Sequence, residues 1–278
     1  MPSVKKIPFI KMHGLGNDFV VIDDFTKPAG FESPINEEIA IRMCDRRLGV
    51  GADQLLWIRK PSEDTPKADC EMLILNNDGS SAEMCGNGIR AVALLLYREG
   101  PKPKQKKYSI QTLAGLLEVE FPKEGEVRVS MGTAKLGEPA EKIRSEDRDF
   151  QFQEVSVGNP HAVIFLKEDL EKFPLEKYGR PIEIHSRFPK RTNVEFVEVV
   201  SRSKIRVRVW ERGAGATLAC GTGACAAAAS AIAQKLVDSP VQVQLPGGEL
   251  TISWTGKASD PVFMQGPATE VYRGEFRI

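Results

Sequence analysis

Two cysteines in this chain share one kind of address. "MCGNGIRAVALLLY", residues 84–97, and "ACGTGACAAAASAIA", residues 219–233, each set a thiol directly before Gly-x-Gly and an apolar run. The runs predict helices, so Cys85 and Cys220 stand at helix starts. There the first N–H groups have no partner within the helix, and the helix dipole favours an anion. The position predicts a thiol pKa lowered from ~8.5 towards neutrality. It also predicts N–H groups able to take a ligand carboxylate, with glycine letting that ligand approach the backbone. Two such thiols on opposite sides of one carbon would suit its inversion. One removes a proton from one face and the other returns a proton to the opposite face. Preorganised donors at the carboxylate would stabilise the carbanion between the two steps. The plain alternative is a small buried hydrophobe. Cys44, Cys70 and Cys225 keep that reading, because none of them precedes Gly-x-Gly.

The elements that must position these thiols occur twice. "FIKMHGLGNDFVVID" and "EVSVGNPHAVIFL" each read as strand, Gly-Asn turn, strand. "GVGADQLLWI" and "RTNVEFVEVV" each set an amide, Gln54 or Asn193, at the mouth of a β-rich run. A strand, a polar turn, the Cys-Gly-x-Gly and a helix follow in both halves. "YSIQTLAGLLEVEF" and "VQVQLPGGELTISW" then read as hairpins. Four matches in the same order predict two copies of one fold. Each copy is mostly short alternating strands around one helix, so the class is α+β. Ile89, Val92, Ala93 and Leu96 form the buried face of the first helix, and Ala224, Ala227, Ala228 and Ala231 a smooth stripe on the second. "NEEIAIRMCDRRLG" adds a surface helix. The expected domains are 1–130 and 131–267, with 268–278 returning to the first, each a sheet wrapped around its central helix and the site in a cleft between the copies.

Composition narrows the classes of function. The 278 residues suit two domains of ordinary size, and the 38 basic and 38 acidic residues cancel, so no global field points to nucleic acid or an anionic membrane. No stretch approaches the ~20 apolar residues of a membrane-spanning helix. "MPSVKKIPFIKMHG" lacks the apolar core of a signal peptide, so a cytoplasmic protein is expected. Five cysteines without a CxxC pair argue against a disulfide framework or a zinc ribbon. Cys220 and Cys225 would point about 140° apart on a helix and share no metal. "GNGIRA" and "GTGACA" fit G-x-G-x-x-A, but neither has the preceding strand and later acid of a dinucleotide site.

"NNDGSSAEMCGNGIR" and "ERGAGATLACGTGA" resemble the two cysteine signatures of the diaminopimelate epimerase family. "HGLGNDF", "GVGADQ", "VGNPHAV" and "TNVEF" resemble its other blocks in the right order, from about residue 9 to the C-terminus. The resemblance implies the duplicated diaminopimelate-epimerase-like fold. It also implies interconversion of LL- and meso-2,6-diaminoheptanedioate, on the route to lysine and peptidoglycan, with no cofactor and no metal. Carried over block by block, it makes Cys85 and Cys220 the acid/base pair, with His161 and Glu211 tuning the thiols. Gly86 with Asn87, and Gly221 with Thr222, would donate backbone N–H groups to the reacting carboxylate. Asn17, Gln54, Asn76, Asn159, Asn193, Glu211 and Arg212 match substrate-binding positions. Amides that donate and accept, plus one fixed cation, suit a long zwitterion. One departure is visible: Ala216 stands where the family often has Glu. The expected partner is a small-molecule substrate, with no nucleic acid and no membrane, and a homodimer is an allowed assembly.

Plainer readings stand beside these. His161 could serve only its turn, Glu211 and Arg212 could form a surface pair of little worth, and the asparagines could serve turn backbone. Their matched places in both halves set them apart. A proline or hydroxyproline racemase shares the two-thiol logic, but its first block continues Cys-Gly-His, where this chain reads Cys85, Gly86, Asn87. A redox switch joining Cys85 to Cys220 without turnover is the alternative from another class.

Overall fold

The β-rich repeats fold into nineteen strands and four helices among the residues that the computed structural model describes, 6–26 and 33–278. Part of the N-terminal stretch read as lacking a leader, residues 1–5, lies outside them. In chain order the first elements are β1 (Lys6–Gly14), β2 (Asn17–Asp23), α1 (Glu37–Cys44), β3 (Gln54–Arg59), β4 (Cys70–Asn76), β5 (Ser81–Ala82), α2 (Gly86–Glu99), β6 (Lys107–Thr112), β7 (Gly115–Lys123) and β8 (Glu126–Thr133). There follow β9 (Lys135–Leu136), β10 (Glu141–Ser145), β11 (Arg148–Ser156), β12 (Pro160–Leu166), α3 (Leu175–Glu183), β13 (Asn193–Ser201), β14 (Lys204–Glu211), β15 (Gly215–Thr217), α4 (Gly221–Ala233), β16 (Val241–Leu245), β17 (Gly248–Ser253), β18 (Pro261–Pro267) and β19 (Thr269–Arg277). Contacts divide the chain into one unit of Met1–Val129 with Pro267–Ile278 and a second of Ser130–Gly266. No described helix is long and apolar enough to cross a membrane.

In the first unit β1 pairs antiparallel with β2, β2 parallel with β3, β3 antiparallel with β4, and β4 parallel with β6, which leads into the β6–β7 hairpin. The second unit repeats this order with β11, β12, β13, β14, β16 and β17. Within the first unit β19 lies antiparallel along β1.

Strand alternation gives each sheet two apolar faces. In the first unit Val20, Ile22 and Leu55 join Ile39, Ala40 and Met43 of α1 in one cluster. Asn36 starts α1 by accepting the Ile39 N–H through its side chain, 2.9 Å away. The opposite face carries Phe19, Val21 and Leu56, all fully buried. In the second unit Ile164, Val194 and Phe196 pack with Tyr178 and Ile182 of α3.

The central helices are buried more completely than a one-sided stripe predicts. Every residue of α2 from Gly86 to Leu96 is buried, and in α4 the alanines at 224, 226 to 229 and 231 all are. Helix α4 packs on β11 to β14, β16 and β17, which accounts for its apolar surround. Alanine lets strands close around it with little side-chain entropy lost.

Candidate active site

Both thiols cap their helices. Cys85 and Cys220 have extended backbones, and each sulfur accepts the N–H three residues on, from Gly88 at 3.3 Å and Gly223 at 3.4 Å. Sulfur here takes the place that a Ser or Asp oxygen fills in an ordinary N-cap. Ile89 and Ala224 open the helical ladders by bonding to the Cys85 and Cys220 carbonyls. The N–H groups of Gly86 and Asn87, and of Gly221 and Thr222, therefore precede the ladder at each helix start. A β-carbon at Gly88 would meet the Leu56 methyls at 3.2 Å, and one at Gly223 would meet Glu195 Oε1 at 2.8 Å.

In the first unit the Cys85 thiol donates to Asn17 Oδ1 at 3.8 Å, and Asn87 Nδ2 donates to the same oxygen at 3.2 Å. Asn17 follows Gly16, whose φ of 89° forms the tight β1–β2 turn. Its orientation is set by Asp53, which accepts the Asn17 amide at 2.9 Å and the Asp18 N–H at 3.1 Å. Arg46 Nη2 bridges Asp53 and Asp18, 2.7 Å from an oxygen of each, and Lys11 reaches Asp18 at 2.6 Å. Burial raises the Asp18 carboxyl, but the bonds from Arg46 and Lys11 outweigh it and hold the group well below the usual range. Gln54 Nε2 donates to Asn76 Oδ1 at 2.9 Å, and Asn76 donates to Ser80. The buried Gln54 Oε1 has no partner among the described residues.

In the second unit Cys220 Sγ lies 3.6 Å from the Thr222 hydroxyl. Thr217 donates to Glu211 at 2.5 Å. Asn159 Nδ2 donates to Thr222 Oγ1 at 3.2 Å, and its Oδ1 is 2.9 Å from His161 Nε2. His161 Nδ1 is 2.7 Å from Glu195 Oε1, with both side chains fully buried. Asn193 serves the scaffold, holding the Pro160 carbonyl and the Arg212 N–H. The exposed Arg212 makes no ion pair among the described residues, and its Nη1 reaches the Lys190 carbonyl at 3.3 Å. The surface-pair reading of Glu211 and Arg212 is absent here. Ala216 is exposed opposite Trp210.

The expected lowering of both thiol pKa values is corrected at Cys220. Burial pushes this thiol well up, the charges of Glu211 and Glu195 add to it, and the bonds from Thr222 and Gly223 only partly oppose them. Desolvation outweighs the helix terminus, because it removes water from the charged form and the dipole returns only part of that loss. Burial also raises Glu211. Cys44 is pushed up to about 12 by burial, and burial raises Cys70 too, in keeping with small buried hydrophobes.

The sequence reading missed Glu195 and Asp53. Both stood inside quoted blocks, "TNVEF" and "GVGADQ". The signal for Glu195 was a charged residue two places after Asn193 in a strand whose neighbours are apolar. Asp53 gave none beyond lying next to Gln54.

A sequence profile described as diaminopimelate epimerase matches residues 9–137 and 154–271. A protein named diaminopimelate epimerase from Carboxydothermus hydrogenoformans is 47% identical, over 96% of this chain and 98% of its own length. One of the same name from Teredinibacter turnerae is 42% identical, over 98% and 100%. Among solved structures, a phenazine biosynthesis protein of the PhzF family from Bacillus anthracis has a TM-score of 0.77 at 15% identity, covering 99% of this chain and all of its own. A hydroxyproline epimerase from Agrobacterium vitis has a TM-score of 0.70 at 15% identity, covering 100% and 94%. At that identity the structural likenesses carry the fold alone.

Proposed function

The chain belongs to the diaminopimelate epimerase family, and from that premise we propose that it interconverts LL- and meso-2,6-diaminoheptanedioate by a two-thiol, cofactor-free route. The observation that carries the mechanism is the matched pair of cysteine N-caps, one in each copy of a repeated topology. One thiolate takes the α-proton, breaking the C–H bond and leaving the electron pair on carbon. The other thiol protonates that carbon on the opposite face. Thiol and thiolate thereby exchange places, and the reverse reaction uses the opposite pair.

In this reading the N–H groups of Gly86, Asn87, Gly221 and Thr222 receive the carboxylate next to the reacting carbon, where charge develops. Asn17 orients Cys85. Glu211 and His161 set the protonation of Cys220. Gln54, Asn76 and Asn159 supply amide contacts, and Arg212 offers a planar cation to the distal carboxylate. Asn193 acts by holding the Arg212 backbone. Arg212, which makes no ion pair among the described residues, favours a two-ended dicarboxylate over a cyclic imino acid. The proposal includes a cytoplasmic location, as befits synthesis of a lysine and peptidoglycan precursor. It also includes a homodimer, which sedimentation velocity tests.

The direct experiment incubates the protein with LL-diaminopimelate in deuterated water. Loss of stereochemical purity with one deuterium entering at the inverted carbon is expected. Unchanged stereochemistry, or equal turnover of proline, would overturn the assignment.

A further inference from the structure

The two units repeat one topology, so residues of the matched core strands have register counterparts in the other unit. Phe19 pairs across the parallel strands with Gln54, and His161 pairs with Asn193. Leu56 lies two residues after Gln54, and Glu195 two after Asn193. The counterpart of His161 is therefore Phe19, and that of Glu195 is Leu56. All four are fully buried. Leu56 lies under Gly88 and Glu195 under Gly223, each by the glycine that lets the helix start come close. One unit fills this place with a phenylalanine and a leucine. The other fills it with a histidine and a glutamate.

A fold that needed only volume here would not place an ionisable pair in the second unit. Burying ionisable groups costs more than burying apolar ones of similar size, and Glu195 Oε2 has no partner among the described residues. The hydrogen bonds say what the pair does. Nδ1 of His161 faces a carboxylate oxygen and Nε2 faces the Asn159 oxygen, so both ring nitrogens meet acceptors. In this orientation Asn159 Nδ2 donates to Thr222 and its oxygen is turned to the ring. With Asn159 so oriented, two protons lie on these two bonds, one more than a neutral imidazole carries. Glu195 accounts for the second, as the carboxylate beside an imidazolium or as the acid beside an imidazole.

We propose that Glu195 is a positioning residue: by sharing a proton with His161 Nδ1 it commits Nε2–H to Asn159, and through Asn159 aims the Thr222 hydroxyl at the Cys220 sulfur. The chain of donors runs one way, from His161 to Asn159, to Thr222, to sulfur. It ends in a hydrogen bond that favours the thiolate, opposing the burial and the Glu211 and Glu195 charges that favour the thiol. The charged groups that act on Cys220 are Glu211 from β14 and Glu195 from β13, and His161 from β12 acts on Glu211. The role rests on Cys220 being an acid/base group, as proposed above.

Glu195→Gln keeps the shape and removes the shared proton. The expected result is a fall in kcat of about tenfold or more, a fraction of what a general acid or base contributes, with KM changed less than about twofold. The Cys220-dependent limb of the pH profile should move to higher pH, because the aimed Thr222 bond that favours the thiolate is lost. Unchanged kcat with an unchanged profile would overturn the proposal. A second measurement does not depend on turnover. With only three histidines in the chain, nitrogen-15 spectra can assign the His161 ring, where Nε2 should carry a proton in the wild type and both tautomers should appear in Glu195→Gln. An Nε2 without its proton in the wild type overturns the proposal even if the enzyme is active, and an Nε2–H supports it even if diaminopimelate is not the substrate. If Glu195→Gln fails to fold, His161→Phe with Glu195→Leu copies the pair that the first unit already packs. In a His161→Phe background, Glu195→Leu should cost no further kcat; a further loss would mean that Glu195 does not act through His161.

Discussion

At the scale of single residues, the thiols divide by address. Cys85→Ala and Cys220→Ala are each expected to abolish turnover, whereas Cys44→Ala and Cys225→Ala should leave kcat within about twofold. Each of the latter loses about 1 kcal/mol or more of stability from the small cavity it creates. Steady-state rates with thermal unfolding read both effects, and near-normal epimerisation in either of the first two variants sinks the two-base scheme. Arg212→Lys tests the other end of the substrate. A planar guanidinium grips a carboxylate through two parallel bonds, which an ammonium cannot reproduce. KM should rise several-fold with kcat changed less; an unchanged KM would return Arg212 to its contact with the Lys190 carbonyl.

At the scale of elements, the two helix starts look alike in sequence and differ in what lies beneath them. Alanine in place of glycine inside a helix gains ~1 kcal/mol of helix propensity, and overpacking costs ~1–3 kcal/mol. At Gly88 the added methyl meets the Leu56 side-chain tip at 3.2 Å, which can turn aside. Gly88→Ala should be close to neutral in stability. At Gly223 the methyl meets Glu195 Oε1 at 2.8 Å and Cys220 Sγ at 3.3 Å. Gly223→Ala must push the carboxylate away from His161 or the sulfur away from its cap. A loss of kcat far larger than in Gly88→Ala is expected, and equal effects at the two sites would show that the charged pair is no more sensitive than the apolar one.

At the scale of the whole molecule, stability should fall at both ends of the pH range, for opposite reasons. Asp18 is held below its ordinary 3.8 in the fold by Arg46 and Lys11. The unfolded chain takes up that proton first, so this stabilisation is present above about pH 4 and lost as pH falls. Cys44 is raised from 9.0 to about 12. Here the unfolded chain releases its proton first, so stability is complete below pH 9.0 and declines as pH rises towards 12. Denaturant midpoints across pH should show both limbs. Cys44→Ala should flatten the alkaline limb and leave the acid limb unchanged; an alkaline limb unaltered in that variant would assign it to other groups.

What the sequence determined by itself was local and periodic. The α+β class, the duplicated order of elements and the two cysteine-capped helices were legible because strand alternation, Gly-Asn turns and the Cys-Gly-x-Gly starts are written in neighbouring residues. The sheet wrapped around each central helix was legible from the duplicated pattern, whereas the particular strands that cover α2 were not, since they are distant in sequence. The thiol pKa at Cys220 was misjudged for the same reason: the helix terminus is a local feature, while the desolvation that outweighs it comes from packing. Glu195 became meaningful only when the register of β12 with β13 set it beside His161 and under Gly223. A carboxylate inside an apolar strand reads as an oddity in one dimension. Tertiary structure made it the partner of a buried imidazole, because a charge enclosed away from water must find its proton or its counter-charge among groups that the fold brings to it.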